Sequence, residues 1–327
     1  MQDKTRAYLF MRLVLICAAV DKVPCGHSLT LLATDVPARW GLLCSLNCFL
    51  LDWVIRRRMG GQNLCLFVME ELPVLAPTQF EAVSWLARRI CGLTLNHPRF
   101  APSWLEFRGA AKWKSLWACS PHERLRLRAI LEATLAFMFQ LDVDNVAEIL
   151  RDSDFSTHHI HDKAFARGLE PRGFWRYEKE KDPELRLAVL AQVAFRELES
   201  MGLDAFLNQN DGEGWMLPET LRLANYGLGH DDRAKEPQPV ASRLGPRFFE
   251  WQLSRSVEES WEECERHAEL LKRILPEREA REDGEGSEGE GQAAAAAQGD
   301  PPPTDLFGNA VPTDLFGNVV YPKTRKR

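Results

Sequence analysis

The stretch from Arg39 to Leu75 constrains the fold of this chain more than any other. Its first part carries apolar residues at helical spacing, a pattern that predicts a helix packed into a core: Leu42, Leu43, Leu46, Phe49, Leu50, Trp53 and Val54. Three consecutive arginines follow, Arg56, Arg57 and Arg58. The next residues, Gly60-Gly61-Gln62-Asn63, predict a turn, because glycine permits positive φ. A short buried strand is expected from Leu64 to Val68.

Two interpretations of this stretch follow from the residues alone. In the structural one, the arginines complement the negative end of the helix dipole before a turn. In the functional one, they contact DNA phosphates, while the carboxamide of Gln62 or Asn63 hydrogen-bonds to a base edge. A single sequence leaves both interpretations open.

The order of these features is similar to the target-recognition region of adenine-specific DNA methyltransferases, found in fused restriction-modification enzymes and related phage-defence systems. In that family an apolar helix leads to a basic residue, Gly-Gly-x-Asn, a short strand and a Leu-Pro-Val-Leu element, here Leu72 to Leu75. A second segment that resembles the family follows downstream, at Gly173-Phe174-Trp175-Arg176 and Lys181-Asp182-Pro183-Glu184-Leu185-Arg186. The two segments extend the resemblance over roughly residues 1 to 200.

The resemblance implies binding to double-stranded DNA and assigns it to one set of residues: Arg56, Arg57, Arg58, Gly60, Gly61, Gln62, Asn63, Lys112 and Lys114. The arginines are expected to contact phosphates, and the carboxamides are expected to approach bases. The two lysines are expected to extend the cationic surface. The resemblance also implies a second partner, a catalytic methyltransferase portion or subunit.

Motifs for catalysis are absent from the sequence. An adenine methyltransferase needs a Gly-rich turn behind a strand for its methyl donor, and an Asn- or Asp-Pro-Pro-aromatic loop for the flipped base. Consecutive prolines occur only at Pro301 to Pro303, and no acidic residue stands two positions before a lysine, as common metal-dependent nucleases require. We therefore expect recognition without catalytic residues, metal or cofactor in this chain. S-adenosylmethionine is expected for the complete enzyme.

The expected fold class is α+β. Residues 1–109 are expected to form a partial target-recognition domain of strands and helices, with strands at Tyr8 to Ala19 and Ser28 to Ala33. Residues 110–276 are expected to form a mainly α-helical domain. Residues 277–327 are rich in acidic residues, glycine, alanine and proline, a composition that predicts a disordered tail.

Capping patterns and periodicity predict the helices. Ser120-Pro121-His122-Glu123 combines an N-cap serine, a proline at N1 and a glutamate at N3, so a helix is expected to run to about Phe139. Further helices are expected at Thr78 to Ile90, Asp144 to Leu150, from Pro183 onward and at Ser254 to Leu275. His158-His159-x-His161 is interpreted as a solvated polar loop in preference to a metal site.

Tryptophans alternate with cations between Pro98 and Trp117. Rings among cations can stack on bases, but they can equally pack two parts of a fold together. For Trp104 and Trp117 we favour packing.

Charge and cysteine content bear on partners and on location. The net charge of -6 is unevenly distributed, because residues 277–290 are strongly acidic while residues 39–128 carry mostly Arg and Lys. The sum therefore does not exclude a nucleic-acid partner. The 8 cysteines lie mostly in apolar runs without Cys-x-x-Cys spacing, which is typical of reduced core residues in a cytoplasmic protein. No segment approaches the ~20 apolar residues of a membrane span.

The C-terminal segment contains one peptide twice, Pro-Thr-Asp-Leu-Phe-Gly-Asn. It resembles short peptides that dock into the bacterial sliding clamp, which implies a contact through Asp305, Leu306 and Phe307 and through Asp314, Leu315 and Phe316. Duplication in a tolerant segment is the simpler explanation of the repeat.

An alternative function belongs to a different class. In this hypothesis the chain is a helical protein-protein interaction module that uses its long helix and its repeated tail peptide. Salt dependence distinguishes the two hypotheses, because phosphate contacts weaken steeply as salt rises, whereas apolar docking does not.

Overall fold

The computed structural model describes residues 36–59, 66–76, 79 and 84–274. The helices in these ranges are α1 (Val36–Leu46), α2 (Phe49–Arg58), α3 (Leu66–Glu70), α4 (Ser84–Thr94), α5 (Ala101–Leu105), α6 (Pro121–Met138), α7 (Val143–Ile149), α8 (Thr157–His161), α9 (Lys163–Ala166), α10 (Leu187–Met201), α11 (Leu203–Gly212), α12 (Ala241–Leu244), α13 (Glu250–Leu253) and α14 (Val257–Ile274). Short 3-10 turns lie at Pro98–Phe100, Trp113–Leu116, Phe174–Arg176, Pro183–Leu185, Leu223–Tyr226 and Asp232–Lys235.

A small antiparallel sheet accompanies the helices. Strand β1 (Thr220–Leu221) pairs with β2 (Gln238–Pro239), so that Thr220 lies opposite Pro239. The described part of the chain is therefore mostly helical with a minor strand component, which agrees loosely with the expected α+β class.

Helices α6 and α10 form the centre of the fold. They pack against each other more extensively than any other described pair, and every residue of α10 from Leu187 to Phe195 is buried. Helix α14 packs on α5, and α1 packs on α4. One hydrophobic core includes side chains from both sides of residue 109, among them Trp104 and Trp261.

Tryptophans 104, 113 and 117 belong to this core, with exposed fractions of 0%, 0% and 4%. The preference for packing at Trp104 and Trp117 is therefore confirmed. The described cysteines are all free, and Cys44, Cys48, Cys91 and Cys264 are buried. This agrees with the expectation of reduced core thiols.

Helix α6 begins where the capping pattern predicts. The Ser120 hydroxyl accepts a hydrogen bond from the Glu123 backbone N–H, 3.1 Å away, and Pro121 occupies N1. The Glu123 carboxylate does not hydrogen-bond back to the backbone N–H of the N-cap residue Ser120. It binds the buried Arg126 and also Arg247, so its charge holds a tertiary network together.

The predicted helix through Leu42 to Val54 is divided in two, which corrects that expectation. Helix α1 ends at Leu46, and α2 begins at Phe49 behind an extended Cys48. The Phe49 N–H donates to Glu132 Oε2 of α6 at 2.8 Å. A carboxylate distant in sequence therefore caps α2, and no local pattern could have indicated it.

The predicted strand at Leu64 to Val68 is wrong for its described part, because Leu66–Glu70 is the helix α3. A short apolar run does not by itself distinguish a buried strand from a helical turn. Here Val68 packs inward while Phe67 is 63% exposed. The two described strands, at 220–221 and 238–239, pair with each other and not with this segment.

The histidine segment is helical and not a loop. Thr157–His161 forms α8, in which Ile160 is buried and His158 and His161 are exposed. The Glu180 carboxylate lies 3.1 Å from His161 Nε2.

Several sequence predictions fall outside the described residues. They are the strands at Tyr8 to Ala19 and Ser28 to Ala33, the turn Gly60 to Asn63, the cap at Thr78 and the tail from residue 277. None of the described helices is both long enough and apolar enough to cross a membrane.

The last residues assigned to α11 depart from helical geometry and form a strained turn. Asn210 and Asp211 have positive φ angles of 51° and 57°, and Gly212 and Gly214 have 82° and 86°. The Gly212 carbonyl accepts hydrogen bonds from Trp85 Nε1 at 3.0 Å and from Arg89 Nη2 at 2.8 Å. These two donors from α4 attach the turn to the helical core.

We expect Gly214→Ala to destabilise the protein by roughly 2–4 kcal/mol, because alanine combines positive-φ strain with a steric overlap. A Cβ atom at position 214 would lie 2.7 Å from the Trp85 ring. Gly227 is the matched control, since its φ is +64° but a Cβ would meet nothing within 4 Å. Urea unfolding midpoints measure both variants. Equal losses would contradict the steric contribution of Trp85.

The cap of α2 predicts a pH-dependent stability. Burial raises the pKa of Glu132 from its ordinary value to about 8, although the Phe49 N–H opposes the shift. A carboxyl whose pKa is raised by folding binds more protons in the folded state, so stability falls as pH rises from about 4.5 to about 8. Glu132→Gln removes this penalty and keeps an acceptor for Phe49.

We therefore expect Glu132→Gln to match the natural protein at pH 4 and to exceed its stability by roughly 2–4 kcal/mol above pH 8. Urea unfolding at a series of pH values measures the difference. Ionisations that the two proteins share cancel in this difference. A difference that does not change with pH would contradict the raised pKa.

Candidate nucleic-acid interface

The three consecutive arginines at the end of α2 point in different directions. Arg56 is buried, and its Nε donates to Asp52 Oδ2 at 2.8 Å. Arg57 is exposed, with its guanidinium 4.3 Å from the centre of the Trp53 ring. Arg58 is exposed and forms an ion pair with Glu71. Successive residues of a helix are 100° apart, so three neighbours cannot share one surface.

Arg56 joins the two segments that carry the family resemblance. Its Nη1 donates to the Arg172 carbonyl at 3.0 Å, and Arg172 Nη1 donates to the Arg56 carbonyl at 2.6 Å. The Arg56 guanidinium also lies 4.3 Å from the centre of the Phe174 ring, which meets Phe49 edge-on at 4.7 Å. We call this contact the Arg56–Phe174 junction.

Gly173 makes the close approach at the junction feasible. A Cβ atom there would lie 2.6 Å from Trp175 Cδ1 and 3.1 Å from the Glu170 carbonyl oxygen. The same carbonyl accepts a hydrogen bond from Trp175 Nε1 at 2.8 Å. The glycine of the Gly-Phe-Trp-Arg segment therefore has a packing role.

A small surface pocket lies beside the junction. Its lining includes arginines from three parts of the chain, Arg57 on α2, Arg151 after α7 and Arg172, together with Glu148 and Glu170. Glu148 pairs with Arg151. Within the described ranges, neither Arg57 nor Arg172 has an ion-pair partner, so the pocket presents positive charge. Guanidinium groups of this kind suit phosphate oxygens, which they can bind in pairs.

Two further arginines near the junction were not singled out by the sequence. Arg128 on α6 donates to the Tyr177 hydroxyl at 3.3 Å. Arg176 stacks on the Trp175 ring at 4.3 Å, and burial lowers its pKa. Arg176 lies in the resembling segment, which was a usable signal. No sequence signal marked Arg128, Arg151 or Arg172, because only folding brings them near α2.

The predicted lysines lie against a different part of the chain. Lys112 Nζ donates to the Leu253 carbonyl at 2.7 Å, and Lys114 Nζ contacts Glu263 at 2.7 Å. Neither contact involves α2 or the Arg56–Phe174 junction. The structure thus does not bring the lysines and the arginines of α2 together, and Gly60 to Asn63 lie outside the described residues.

No group of three or more His, Cys, Asp or Glu side chains is arranged to hold a metal ion in the part of the chain that the structure describes. Comparisons of the chain with protein-family models, curated proteins and solved structures find no match.

We expect Arg56→Met to destabilise the protein by roughly 3–5 kcal/mol, because it removes a buried cation that is hydrogen-bonded to the buried Asp52. Arg57→Met is the matched control on the same helix and is expected to change stability by less than about 0.5 kcal/mol. Chemical denaturation measures both. Similar effects of the two substitutions would contradict a structural role specific to Arg56.

Proposed function

We propose that this chain is the DNA target-recognition part of an adenine-specific DNA methyltransferase from a restriction-modification or phage-defence system. In this proposal, a separate catalytic portion of the same system binds S-adenosylmethionine and carries out methyl transfer. The described residues would hold the duplex in position for that portion.

The Arg56–Phe174 junction is the observation that carries the proposal. The two sequence segments that resemble the family meet where the Arg56 guanidinium lies 4.3 Å from the centre of the Phe174 ring. Arg172, the residue directly before the second segment, exchanges hydrogen bonds with Arg56. Their convergence supports a common role for both.

The charges around the junction support phosphate binding. Arg57 and Arg58 are exposed at the end of α2, and Arg172, directly before the second segment, adds donors. Arg56 is buried with Asp52, so we assign it to positioning α2, and phosphate contacts to Arg57, Arg58 and Arg172. Gln62 and Asn63 follow α2 directly in sequence, and base reading is proposed for their carboxamides.

We expect the double variant Arg57→Ala with Arg58→Ala to bind a mixed-sequence duplex about tenfold more weakly at low salt. Loss of two phosphate contacts should also reduce the slope of log K against log salt by about 2. Fluorescence anisotropy of a labelled duplex, measured over a series of salt concentrations, gives both quantities.

The matched control removes two exposed cations elsewhere, Lys235→Ala with Lys272→Ala, and changes net charge equally. Its affinity and salt slope should remain close to those of the natural protein. Equal losses of affinity in both double variants would show that binding depends on net charge alone, and would contradict a site at α2. Binding that does not depend on salt would favour the protein-interaction hypothesis.

A further inference from the structure

Two neighbouring arginines of α4, Arg88 and Arg89, are drawn into the fold without a carboxylate of their own. Arg89 is only 8% exposed, and Arg88 is half-buried. Across the described ranges neither forms an ion pair, and the Nε of each is a buried donor without an acceptor. Buried polar groups almost always have a hydrogen-bond partner, so two such donors on adjacent residues require an explanation. We call Arg88 and Arg89 the α4 arginines.

A carbonyl and an aromatic ring hold Arg89 in place. Its Nη2 donates to the Gly212 carbonyl at 2.8 Å, and its guanidinium lies 4.1 Å from the centre of the Trp85 ring. Trp85 Nε1 donates to the same carbonyl at 3.0 Å. The guanidinium is therefore fixed between α4 and the turn at residues 210–214, by groups that carry no negative charge of their own.

The carboxylates that act on Arg89 are already bound to other arginines. Glu123 accepts hydrogen bonds from Arg126 and Arg247. The Glu213 carboxylate pairs with Arg247. Among the described residues, four guanidinium groups thus meet two carboxylates, or three if the exposed Asp211 of the same turn is counted. The surplus of positive charge lies on the α4 arginines.

Both α4 arginines have a lowered pKa. Burial is the main cause for Arg89, whose pKa falls to about 9, and the charges of Arg88 and Arg126 act in the same direction. Glu123 and Glu213 oppose this shift without cancelling it. Burial also lowers the pKa of Arg88. Their surroundings disfavour the charged form of both side chains, and a nearby anion would favour it.

Arg186 shows how this protein compensates another buried arginine. It is 1% exposed, and its Nε and Nη1 donate to backbone carbonyls. Four carboxylates act to raise its pKa against the effect of burial. Arg89 has one carbonyl, and its two carboxylates are shared with other arginines. An uncompensated buried charge is costly, so a bound anion would stabilise the α4 arginines.

We propose that the α4 arginines, beside the turn at residues 210–214, bind the dianionic phosphate group of a small ligand. Two guanidinium groups match the charge of inorganic phosphate or of a phosphate monoester, and their planar donors can bind its oxygens in pairs. This site shares no residue with the pocket beside the Arg56–Phe174 junction. The inference therefore does not depend on the proposed function.

Burial favours a small anion over the backbone of a DNA duplex. A backbone phosphate carries one negative charge and is joined to a sugar on both sides. A terminal phosphate offers three oxygens and nearly two charges. Arg89, with 8% of its surface exposed, suits a group that can enter a recess end-on. Binding of the duplex backbone is therefore an outcome of the test that overturns the proposal.

The experiment is isothermal titration calorimetry of the full chain with inorganic phosphate, in chloride buffer at constant ionic strength. Arg88→Gln should weaken phosphate binding at least about tenfold, because it removes one of two charged donor groups. Arg222→Gln is the matched control, since it removes the same charge from an exposed residue after β1. It should bind phosphate as the natural protein does.

A second measurement follows the same binding through stability. Phosphate should raise the urea unfolding midpoint of the natural protein and of Arg222→Gln, because a ligand of the folded state stabilises it. The midpoint of Arg88→Gln should rise much less. General effects of phosphate on protein hydration are common to all three proteins and cancel in the comparison. Circular dichroism checks that each variant is folded.

Adenosine 5′-monophosphate and adenosine distinguish the sources of the phosphate group. An affinity for the monophosphate near that for inorganic phosphate, without binding of adenosine, would assign the site to a phosphate monoester. Binding of inorganic phosphate alone would assign it to the free anion. Either result supports the proposal when Arg88→Gln loses the binding.

Three results would overturn the proposal. They are no binding of inorganic phosphate, equal phosphate binding by Arg88→Gln, and weaker duplex binding by Arg88→Gln, which would place the α4 arginines on a DNA-binding surface. The duplex assay with Arg57→Ala and Arg58→Ala keeps the two proposals separate. Loss of duplex binding with phosphate binding intact would affect the proposed function alone, and the reverse would affect the phosphate site alone.

Discussion

Buried arginines that donate to backbone carbonyls hold the irregular segments of this protein onto its helices. Arg126 on α6 binds the carbonyls of Glu213 and Trp215, each at 3.0 Å. Arg186 binds those of Ser153 and Lys181, each at 2.8 Å. A buried carbonyl without a donor is costly, and one guanidinium can satisfy several at once. Long connections can therefore lie against the core without strands to pair with.

Burial and hydrogen bonding to backbone carbonyls also distinguish structural arginines from arginines that are free to bind a ligand. Arg56 uses its donors on Asp52 and on the Arg172 carbonyl, and it closes the contact between two distant segments. Its neighbour Arg57 remains at the surface on Trp53. In the amino-acid composition, Arg56 and Arg57 are equal positive charges. Only burial and hydrogen bonding show that one serves the fold while the other faces solvent.

Two surfaces with different physics result from this arrangement. Near the junction, the three guanidinium groups of Arg57, Arg151 and Arg172 lie with the two carboxylates of Glu148 and Glu170, and this excess of positive charge suits phosphates. At α13, the rings of Phe249 and Trp251 are nearly parallel, and Trp251 meets the buried Trp117 edge-on. Neither surface requires a catalytic group of its own.

The sequence by itself determined the features that depend on near neighbours. Ser120 and Pro121 specified the start of α6, because caps are set within a few residues. The apolar residues after Pro183 indicated a helix, but the structure places a 3-10 turn at Pro183–Leu185 and begins the helix at Leu187. The missing motifs for methyl transfer were also evident from the sequence. At the site, the sequence supplied the arginines of α2 and the Gly-Phe-Trp-Arg segment.

Only the tertiary structure decided what depends on distant partners. Glu132 divides an apolar helix by capping Phe49, and Phe174 covers Arg56 while Arg57 stays exposed. Arg151 and Arg172 reach the pocket from segments with no distinctive pattern. These contacts join residues about 80 to 120 positions apart, and their free energy appears only when the whole core is assembled. Periodicity within a short window contains no information about them.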